Sequence, residues 1–388
     1  MNIYEESANN AEALLEQLMS KKGFLASKTT IDNYDRVFAR DAIIIGLATL
    51  TTNNKKLQQT FKRSLDTLKK HQETNGIIAS NVSKNKVSFG QTTGRVDATL
   101  WYIIGVCKYY AHTKNKTFLK AHKQHITKAL EAASCWEFNT KDFIYTPRSG
   151  DWADEYIQEG YVLYDQLLYY KALKNYYLIT RKKSIKEKAE RLKKRIHIHF
   201  YPEKKQQNHA LIYHEILFKH LLKKKKNYFL QSFSPGQVQD RFDCFAHALL
   251  LEEEIATKEQ EKQIIKHIKK LVKQHTLIPA FHPIITKQDN DWQMLKNNYS
   301  FRFKNKEGAF HNGGLWLFVN ALLARALYLR GHIKLSEELY YNTIQETKKH
   351  NWSFHEFTNS ITKKPGGVQQ LGMSAAAILQ AHNSIYKK

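Results

Sequence analysis

The feature that most constrains the fold is a helical spacing of apolar residues that continues along almost the whole chain. Apolar side chains recur every three or four residues in about a dozen segments, among them Asp41–Leu50, Asp97–Tyr110, Gly160–Ile179 and Gly314–Tyr328. This spacing places apolar residues on one face of a helix, where they can pack on a common core. The 388 residues include only six Pro and 16 Gly, so helices of this length can run without interruption.

The connections between these segments are short, which pairs consecutive helices into about six hairpins. No Gly/Ser-rich linker divides the chain, and residues 1–388 are therefore predicted to form one all-α domain, an (α/α)6 toroid of inner and outer helices. Short strand-like pieces occur at Phe143–Tyr145 and Leu277–Phe281, and Gln206–His209 and Lys287–Asn298 are the clearest loops. Polar and aromatic segments precede or follow the predicted inner helices, at Tyr34–Asp41, Asn75–Asp97, Arg148–Asp154, Phe233–Asp243, Tyr299–Trp316 and Trp352–Gln370.

The net charge of +25 permits attraction to nucleic acid or to an anionic membrane. The lysines are scattered over helical faces, and no nucleic-acid-binding signature accompanies them, so we expect a solvated basic surface and no nucleic-acid or membrane partner. The three cysteines fit neither a disulfide framework nor a zinc site. No secretory signal is visible at the N-terminus, and we expect a reduced, cytoplasmic protein.

Two carboxylates stand in unusual aromatic surroundings. Asp97 begins a predicted helix that continues through Trp101, and Glu356 is flanked by Trp352 and Phe354. Aromatic faces stack on sugar rings, and a pair of carboxyl groups can supply the general acid and the general base that break a glycosidic bond. Asp97 is explained equally well as a helix cap.

Asp151 and Asp154 lie in a third acidic segment, beside Trp152, on an otherwise basic chain. One of them could act as the acid, or both could bind sugar hydroxyls, and a plain acidic loop is the alternative. Arg95, two residues before Asp97, would keep that carboxylate ionised, whereas a general acid needs an apolar setting that keeps it protonated.

Further polar pairs occur at the starts of predicted helices or inside them. Arg40 and Asp41 could bind sugar hydroxyls through a donor and an acceptor, or Asp41 could serve only as an N-cap or first-turn acid of its helix. His311 and Asn312 offer donors before a Gly-Gly turn. Gln166 lies in a mostly apolar helix and would need a buried partner.

Taken in order, these segments resemble the neutral and alkaline invertases of glycoside hydrolase family 100. Tyr34–Asp41 (YDRVFARD) resembles that family's Tyr-Asp-x-Val-Phe-x-Arg-Asp, and Val96–Tyr102 (VDATLWY) resembles its Val-Asp-Ser-Gly-Leu-Trp-Trp. His311–Trp316 (HNGGLW) resembles His-Asn-Gly-Gly-Ser-Trp, and Glu356 falls where the family has Trp-Pro-Glu-Tyr-Tyr. Other (α/α)6 glycosidases are similar more loosely.

The resemblance implies an inverting glycoside hydrolase that cleaves a small α-linked sugar such as sucrose and needs no cofactor or metal. In that scheme Asp97 is the general acid and Glu356 the general base that activates water. Because inversion leaves room for that water, the two carboxyl groups are expected about 6.5–9.5 Å apart. The substrate-binding residues would come from the same segments: Tyr34, Arg40, Asp41, Arg95, Trp101, Trp152, Gln166, His311, Asn312 and Trp316.

The segment Ser149–Glu155 (SGDWADE) departs from the family. It looks closer to glucosidase and mannosylglycerate-hydrolase relatives and to glucoamylases, whose acid lies in this loop. Asp154 or Asp151 is therefore the alternative acid, and another α-glucoside or α-mannoside, including glucosylglycerate or mannosylglycerate, is the alternative substrate. An alternative of another class is a non-catalytic basic helical binding protein.

Overall fold

A computed structural model describes residues 2–29, 34–83, 86–90, 93–207, 209–212, 214–223 and 227–387. This part of the chain is mostly helical. Six helices are buried along most of their length: α2 (Ala39–Thr49), α4 (Val96–Thr113), α6 (Leu163–Thr180), α9 (Cys244–Glu252), α12 (Leu317–Leu329) and α14 (Gly372–Ile385). Six more are long and amphipathic: α1 (Ile3–Gln17), α3 (Lys55–Lys70), α5 (Lys116–Cys135), α7 (Lys183–Phe200), α10 (Lys258–His275) and α13 (Ile333–Lys349). Two are short: α8 (Glu215–Leu222) and α11 (Trp292–Asn297).

The six buried helices contact one another in cyclic order. Helix α2 packs on α4, α4 on α6, α6 on α9, α9 on α12, α12 on α14, and α14 returns to α2. The amphipathic helices cover them from outside, with α3 on α2, α5 on α4, α7 on α6, α13 on α12 and α1 on α14. We call the first set the inner helices and the second set the outer helices.

The amphipathic pattern explains the outer position. In α3 the apolar residues Leu57, Phe61, Leu65 and Leu68 are buried at spacings of three and four residues. The remaining face of that helix carries mainly lysine, arginine and glutamine. The inner helices are apolar on nearly all sides, as expected for helices with protein around them.

Very short antiparallel strands tie the loops of neighbouring hairpins together. The strands are β1 (Met19–Ser20), β2 (Gly23–Phe24), β3 (Val37–Phe38), β4 (Asn81–Val82), β5 (Val87–Ser88), β6 (Tyr161–Val162), β7 (Ser232–Ser234), β8 (Gln237–Gln239), β9 (Phe242–Asp243), β10 (Phe281–His282), β11 (Leu315–Trp316), β12 (Phe357–Thr358) and β13 (Pro365–Gly366). They form ladders β1-β2, β3-β4-β5, β6-β7-β8, β9-β10 and β11-β12-β13. Strands β3, β6, β9 and β11 lead directly into inner helices, so each of their ladders joins the start of one inner helix to the loop of the next hairpin.

The backbone at the start of the inner helices repeats one device. The first N–H of a helix has no partner within that helix and must be satisfied elsewhere. In five inner helices this N–H donates to a carbonyl of a loop from another hairpin, at 2.8–3.0 Å: Ala39 to Ser80, Val96 to Gly150, Leu163 to Gln231, Cys244 to Ala280 and Gly372 to Ala26. These bonds hold the loops together over the N-terminal ends of the inner helices.

Several predicted strands and loops need correction. Phe143–Tyr145 is not a strand, and in Leu277–Phe281 only Phe281 belongs to one. The predicted loop Lys287–Asn298 contains α11. The predicted loop Gln206–His209 begins at the end of a single 3₁₀ turn, and its residue 208 lies outside the described residues.

The predicted helix caps also need correction. Asp41 and Asp97 do not cap their helices, because the N-cap residues are Phe38 and Arg95. Both acids lie inside the first turn, where a negative charge still interacts favourably with the helix dipole.

Candidate active site

Glu356 lies in the loop between α13 and α14, and its side chain is buried. One carboxylate oxygen accepts a hydrogen bond from the Tyr34 hydroxyl at 2.8 Å, and the other accepts from the Val368 backbone N–H at 3.2 Å. Burial raises the pKa of Glu356 to about 7, although the Tyr34 hydrogen bond and the nearby Lys304 charge oppose that rise. A carboxyl group with this pKa can exchange a proton near neutral pH.

The backbone around Glu356 is adapted to hold it. Gly367 has φ +73°, and a Cβ atom at this position would collide with the Glu356 carboxylate, so only glycine allows the close approach. Trp352 and Phe354 also have positive φ values of 53° and 44°. Such conformations are costly for bulky residues, and they concentrate at sites where a loop must present one side chain.

Asp97 is fully enclosed by partners. Its Oδ2 atom lies 2.7 Å from an Arg40 nitrogen and accepts from the Tyr164 hydroxyl at 3.2 Å. The Trp101 indole N–H donates to the Tyr164 oxygen at 2.9 Å. Trp101 therefore contacts the site through Tyr164, and the Asp97 side chain is only 1% exposed.

Asp154 has a different environment. It pairs with Arg95 at 3.1 Å, and its side chain is 38% exposed. Its Oδ1 atom is buried without a hydrogen-bond partner among the described residues. His311 hydrogen-bonds through Nδ1 to the backbone carbonyl of Asp154 at 3.0 Å, which fixes the chain that carries this carboxylate.

The pairing of charges corrects the sequence analysis. Proximity in sequence predicts that Arg95 acts on Asp97, but Arg95 pairs with Asp154, and Arg40 from the preceding hairpin pairs with Asp97.

Burial raises the pKa of the Tyr34 hydroxyl, and the charges of Glu356, Asp41 and Asp154 raise it further. Two carboxylates from loops and one from the first turn of α2 therefore act on one hydroxyl group.

Asp41 is the third of these carboxylates. It is buried in the first turn of α2. Burial raises its pKa to about 6, and the charge of Arg40 opposes the rise.

Asp151 belongs to the supporting framework. Its two oxygens accept from the Ala153 N–H at 2.8 Å and from the Gln158 amide at 2.7 Å. Asp165 lies nearby, and its pKa is raised first by burial and then by the Asp151 charge. Asp151 is fully buried, so it is not exposed to a substrate.

Aromatic rings form a packed layer in the centre of the inner ring of helices. The His311 and Trp316 rings stack at 5.1 Å with an interplanar angle of 7°, and Trp152 meets His311 edge-on at 5.1 Å. All three side chains are buried. The Trp316 indole donates to the Phe310 carbonyl, whereas His311 Nε2 has no hydrogen-bond partner among the described residues.

Gln166 and Asn312, which the family resemblance implies as substrate-binding residues, instead hydrogen-bond to the backbone of neighbouring loops. The Gln166 amide bonds both backbone groups of Ile144 at 3.1 and 2.8 Å, and the Asn312 amide does the same with Ile285 at 2.7 and 2.8 Å. Residues at the same helical position as Gln166 also hold other loops. Asn320 bonds both backbone groups of Ile278, whereas Thr99 and His247 each accept one bond, from the N–H of Ile78 and of Phe229. Gln166 is one of a repeated set of structural clamps.

Three residues near the site were not assigned from the sequence: Tyr164, Asp243 and Lys304. Asp243 is the fully buried N-cap residue of α9, where it accepts from the Ala246 N–H at 2.9 Å, and burial raises its pKa to about 8. Lys304 acts on Glu356 and lies 5.3 Å from the Phe310 ring centre. Asp243 and Lys304 both lie in the six polar segments, which was the available signal, but no local pattern distinguishes Tyr164 from its neighbours.

Among the described residues, no group of three or more His, Cys, Asp or Glu side chains is placed to hold a metal ion. No helix in the described part of the chain is long and apolar enough to cross a membrane.

Several glycosidases of known structure share this overall arrangement. A family 63 mannosylglycerate hydrolase from Thermus thermophilus, solved with Tris, matches with a TM-score of 0.68 and 10% identity over 96% of this chain and 99% of that one. A glycosidase variant in complex with glucose matches with a TM-score of 0.66 and 11% identity over 99% of this chain and 97% of that one. At these identities the likeness establishes the fold, which is that of this glycosidase group. No curated protein matches the chain in sequence.

The family model of the alkaline and neutral invertases, glycoside hydrolase family 100, matches residues 13–206 and 194–364. The chain belongs to this family, and the protein is a glycoside hydrolase.

Proposed function

We propose that the protein is an inverting glycoside hydrolase with an (α/α)6 toroid, which cleaves a small α-linked sugar at the N-terminal ends of the inner helices. The observation that carries the proposal is the environment of Tyr34. Its hydroxyl donates a hydrogen bond to the buried Glu356 carboxylate, and the charge of the accessible Asp154 contributes to its raised pKa. Two carboxyl groups from different loops thus flank one polar site, as acid and base catalysis of glycoside cleavage requires.

In this proposal Glu356 is the general base. Its pKa of about 7 lets it accept a proton from a water molecule near neutral pH. The Tyr34 hydroxyl and the Val368 N–H fix the orientation of the carboxylate, and the water would attack the anomeric carbon from the face opposite the leaving oxygen.

Of the three candidates for the general acid, Asp154 is the one that a substrate can reach. An acid must come within hydrogen-bonding distance of the leaving oxygen. The Asp154 side chain is 38% exposed, whereas Asp97 is occupied by Arg40 and Tyr164 and Asp151 by Ala153 and Gln158. Asp97, which the family resemblance implies as the acid, would instead hold Arg40 in place for the sugar hydroxyls.

The remaining sugar-binding groups are Tyr34, Arg40, Asp41 and Arg95. Arg40 and Arg95 are 16% and 15% exposed, and each guanidinium has further N–H groups beyond its carboxylate partner. Hydroxyl groups of a pyranose or furanose ring can accept from these donors and donate to Asp41. The buried Trp152, His311 and Trp316 would form the floor of this subsite.

Family membership favours sucrose as the substrate, and the likeness to a mannosylglycerate hydrolase favours a glycosylglycerate. The test is sugar release from sucrose, trehalose, maltose, isomaltose, glucosylglycerate and mannosylglycerate by the wild type and by Glu356→Gln. Exchange of a general base is expected to lower kcat by about 10²–10⁴-fold, and Glu131→Gln, on the exposed face of α5, serves as the matched control. Full activity of Glu356→Gln would refute the assignment of the base, and a folded wild type that cleaves none of these sugars would favour a binding protein without catalysis.

A further inference from the structure

A cleft of about 490 Å³ lies beside the start of α4 and the loop that carries Asp154. Arg95 is the only one of its lining residues that is also proposed to bind the sugar in the catalytic subsite. Its walls come from the connection after α3 and the connection after α5. Four aromatic side chains line it: Phe89, Trp136, Phe138 and Tyr145.

We propose that this cleft is a second carbohydrate-binding site, which holds one pyranose ring of a sugar outside the catalytic subsite. The choice of a sugar rests on the glycoside hydrolase family of the chain, and the position of the cleft relative to catalysis rests on the proposed function. The volume lies within the range of small-molecule sites, about 300–1,000 Å³.

The aromatic lining fits the apolar face of a sugar ring. Phe138 is 75% exposed, and its ring lies 6.0 Å from Tyr145 at an angle of 55°. Trp136, at the end of α5, is only half-buried. Aromatic rings that remain accessible around a concave space commonly mark a binding surface, because stacking on a ligand would remove their apolar faces from water.

Polar groups at the edge of the cleft suit the hydroxyls of the same ring. Glu73, Asn75, Thr93 and Arg95 also line it. A carboxylate and an amide accept hydrogen bonds from hydroxyl groups, while the amide and the guanidinium donate to them. An entirely apolar ligand would leave these polar groups desolvated without partners, which is unfavourable.

The cleft is connected to the candidate active site by its wall. Arg95 lines the cleft and pairs with Asp154 at 3.1 Å. The Thr93 hydroxyl donates to the Arg148 carbonyl at 2.9 Å, and the Val96 N–H donates to Gly150 at 2.8 Å. Both connections run from the end of an outer helix to the start of an inner helix, so the cleft opens on the side of the molecule where the catalytic loops lie.

Hydrogen–deuterium exchange read by mass spectrometry tests this site without relying on turnover. The Glu356→Gln protein, which preserves the sugars, is titrated with maltose, trehalose and sucrose, and in a separate arm with benzyl alcohol as an apolar aromatic probe. Peptides from 72–77 and 136–147 report on the cleft, and peptides from 352–358 report on the candidate active site. At least one of the sugars is expected to slow exchange in the cleft peptides.

Phe138→Ala, added to the same protein, is expected to weaken that protection at least about tenfold in sugar concentration, since it removes one exposed stacking face. Ile216→Ala, which removes an 80% exposed apolar side chain on α8, is the matched control and should leave the protection unchanged. Protection by benzyl alcohol alone, no protection in the cleft peptides, or equal protection in Phe138→Ala would each overturn the proposal. Failure of the proposed function would instead appear as unprotected 352–358 peptides and absent hydrolysis. Protection of the cleft peptides is measured independently of both results.

Discussion

Removal of the Tyr34 hydroxyl is expected to shift the pH dependence of hydrolysis to higher pH. Burial raises the pKa of Glu356 to about 7, and the hydrogen bond from Tyr34 holds it below the value that burial alone would give. In Tyr34→Phe the carboxylate loses this donor and keeps its burial, so its pKa must rise. Because the general base acts only when ionised, the acidic limb of the rate profile should move to higher pH by the same amount.

The size of the shift follows from the strength of the bond. A hydrogen bond to a charged group contributes about 1.5–3 kcal/mol, and about 1.4 kcal/mol corresponds to one pKa unit. The pKa of Glu356 is therefore expected to rise from about 7 to roughly 8–9. At pH 7 the variant should lose about five- to fiftyfold of its kcat/KM, and the loss should shrink as the pH approaches about 9.

The measurement is kcat/KM against pH for the best substrate of the sugar panel, since this ratio reports the pKa values of the free enzyme. Tyr169→Phe is the matched control, because the Tyr169 hydroxyl donates to Glu137 at 2.6 Å, outside the candidate site. Its acidic limb should coincide with that of the wild type. An acidic limb of Tyr34→Phe at or below the wild-type position would refute the assigned role of Tyr34.

Three further predictions concern stability, backbone geometry and stereochemistry. The pKa of Glu356 is raised by folding to about 7, so its ionisation opposes folding more and more as the pH rises from its ordinary value through 7. Glu356→Gln should therefore increase the free energy of unfolding in urea by about 1–3 kcal/mol at pH 8 and little at pH 4, and an equal change at both pH values would contradict this. Gly367→Ala should lower the free energy of unfolding by about 1–3 kcal/mol and should also lower activity. The loss should exceed that of Gly331→Ala, because Gly331 also has a positive φ but has open space around it. Equal urea midpoints for the two variants would refute the steric argument. The first product of an α-linked substrate should be the β-anomer by ¹H NMR, and an initial α-anomer would exclude inversion.

The long helices were predictable because each has an apolar face several turns long. The short helix Trp292–Asn297 was missed because one turn and a half in a polar segment cannot show a period. Strands of two or three residues are equally invisible, since alternation needs about four residues to be recognised. The sequence therefore predicts the helical hairpins but not the ladders that join their loops.

Of the candidate site, the residue types were predictable, but several partners were not. Arg95 is two residues from Asp97 in sequence and yet pairs with Asp154, whereas Arg40 reaches Asp97 from another hairpin. Gln166 is implied as a substrate-binding residue only by the family resemblance; as a buried amide it needs partners, and the backbone of Ile144 supplies them. Contacts of this kind depend on how neighbouring hairpins meet, which local sequence does not encode.

The central claim is that Glu356 and Asp154 form the base and acid pair, and leaving-group dependence tests it most directly. The wild type, Glu356→Gln, Asp154→Asn and Asp97→Asn are compared on the cleaved sugar and on the corresponding α-glycosyl fluoride, whose leaving group needs little protonation. We predict that Asp154→Asn lowers the rate of sugar hydrolysis about 10²–10⁴-fold and the rate of fluoride hydrolysis far less, while Glu356→Gln lowers both rates. Asp97→Asn should change the rates on the two substrates by the same factor. A selective loss on the sugar in Asp97→Asn, or undiminished hydrolysis by Glu356→Gln, would contradict the account.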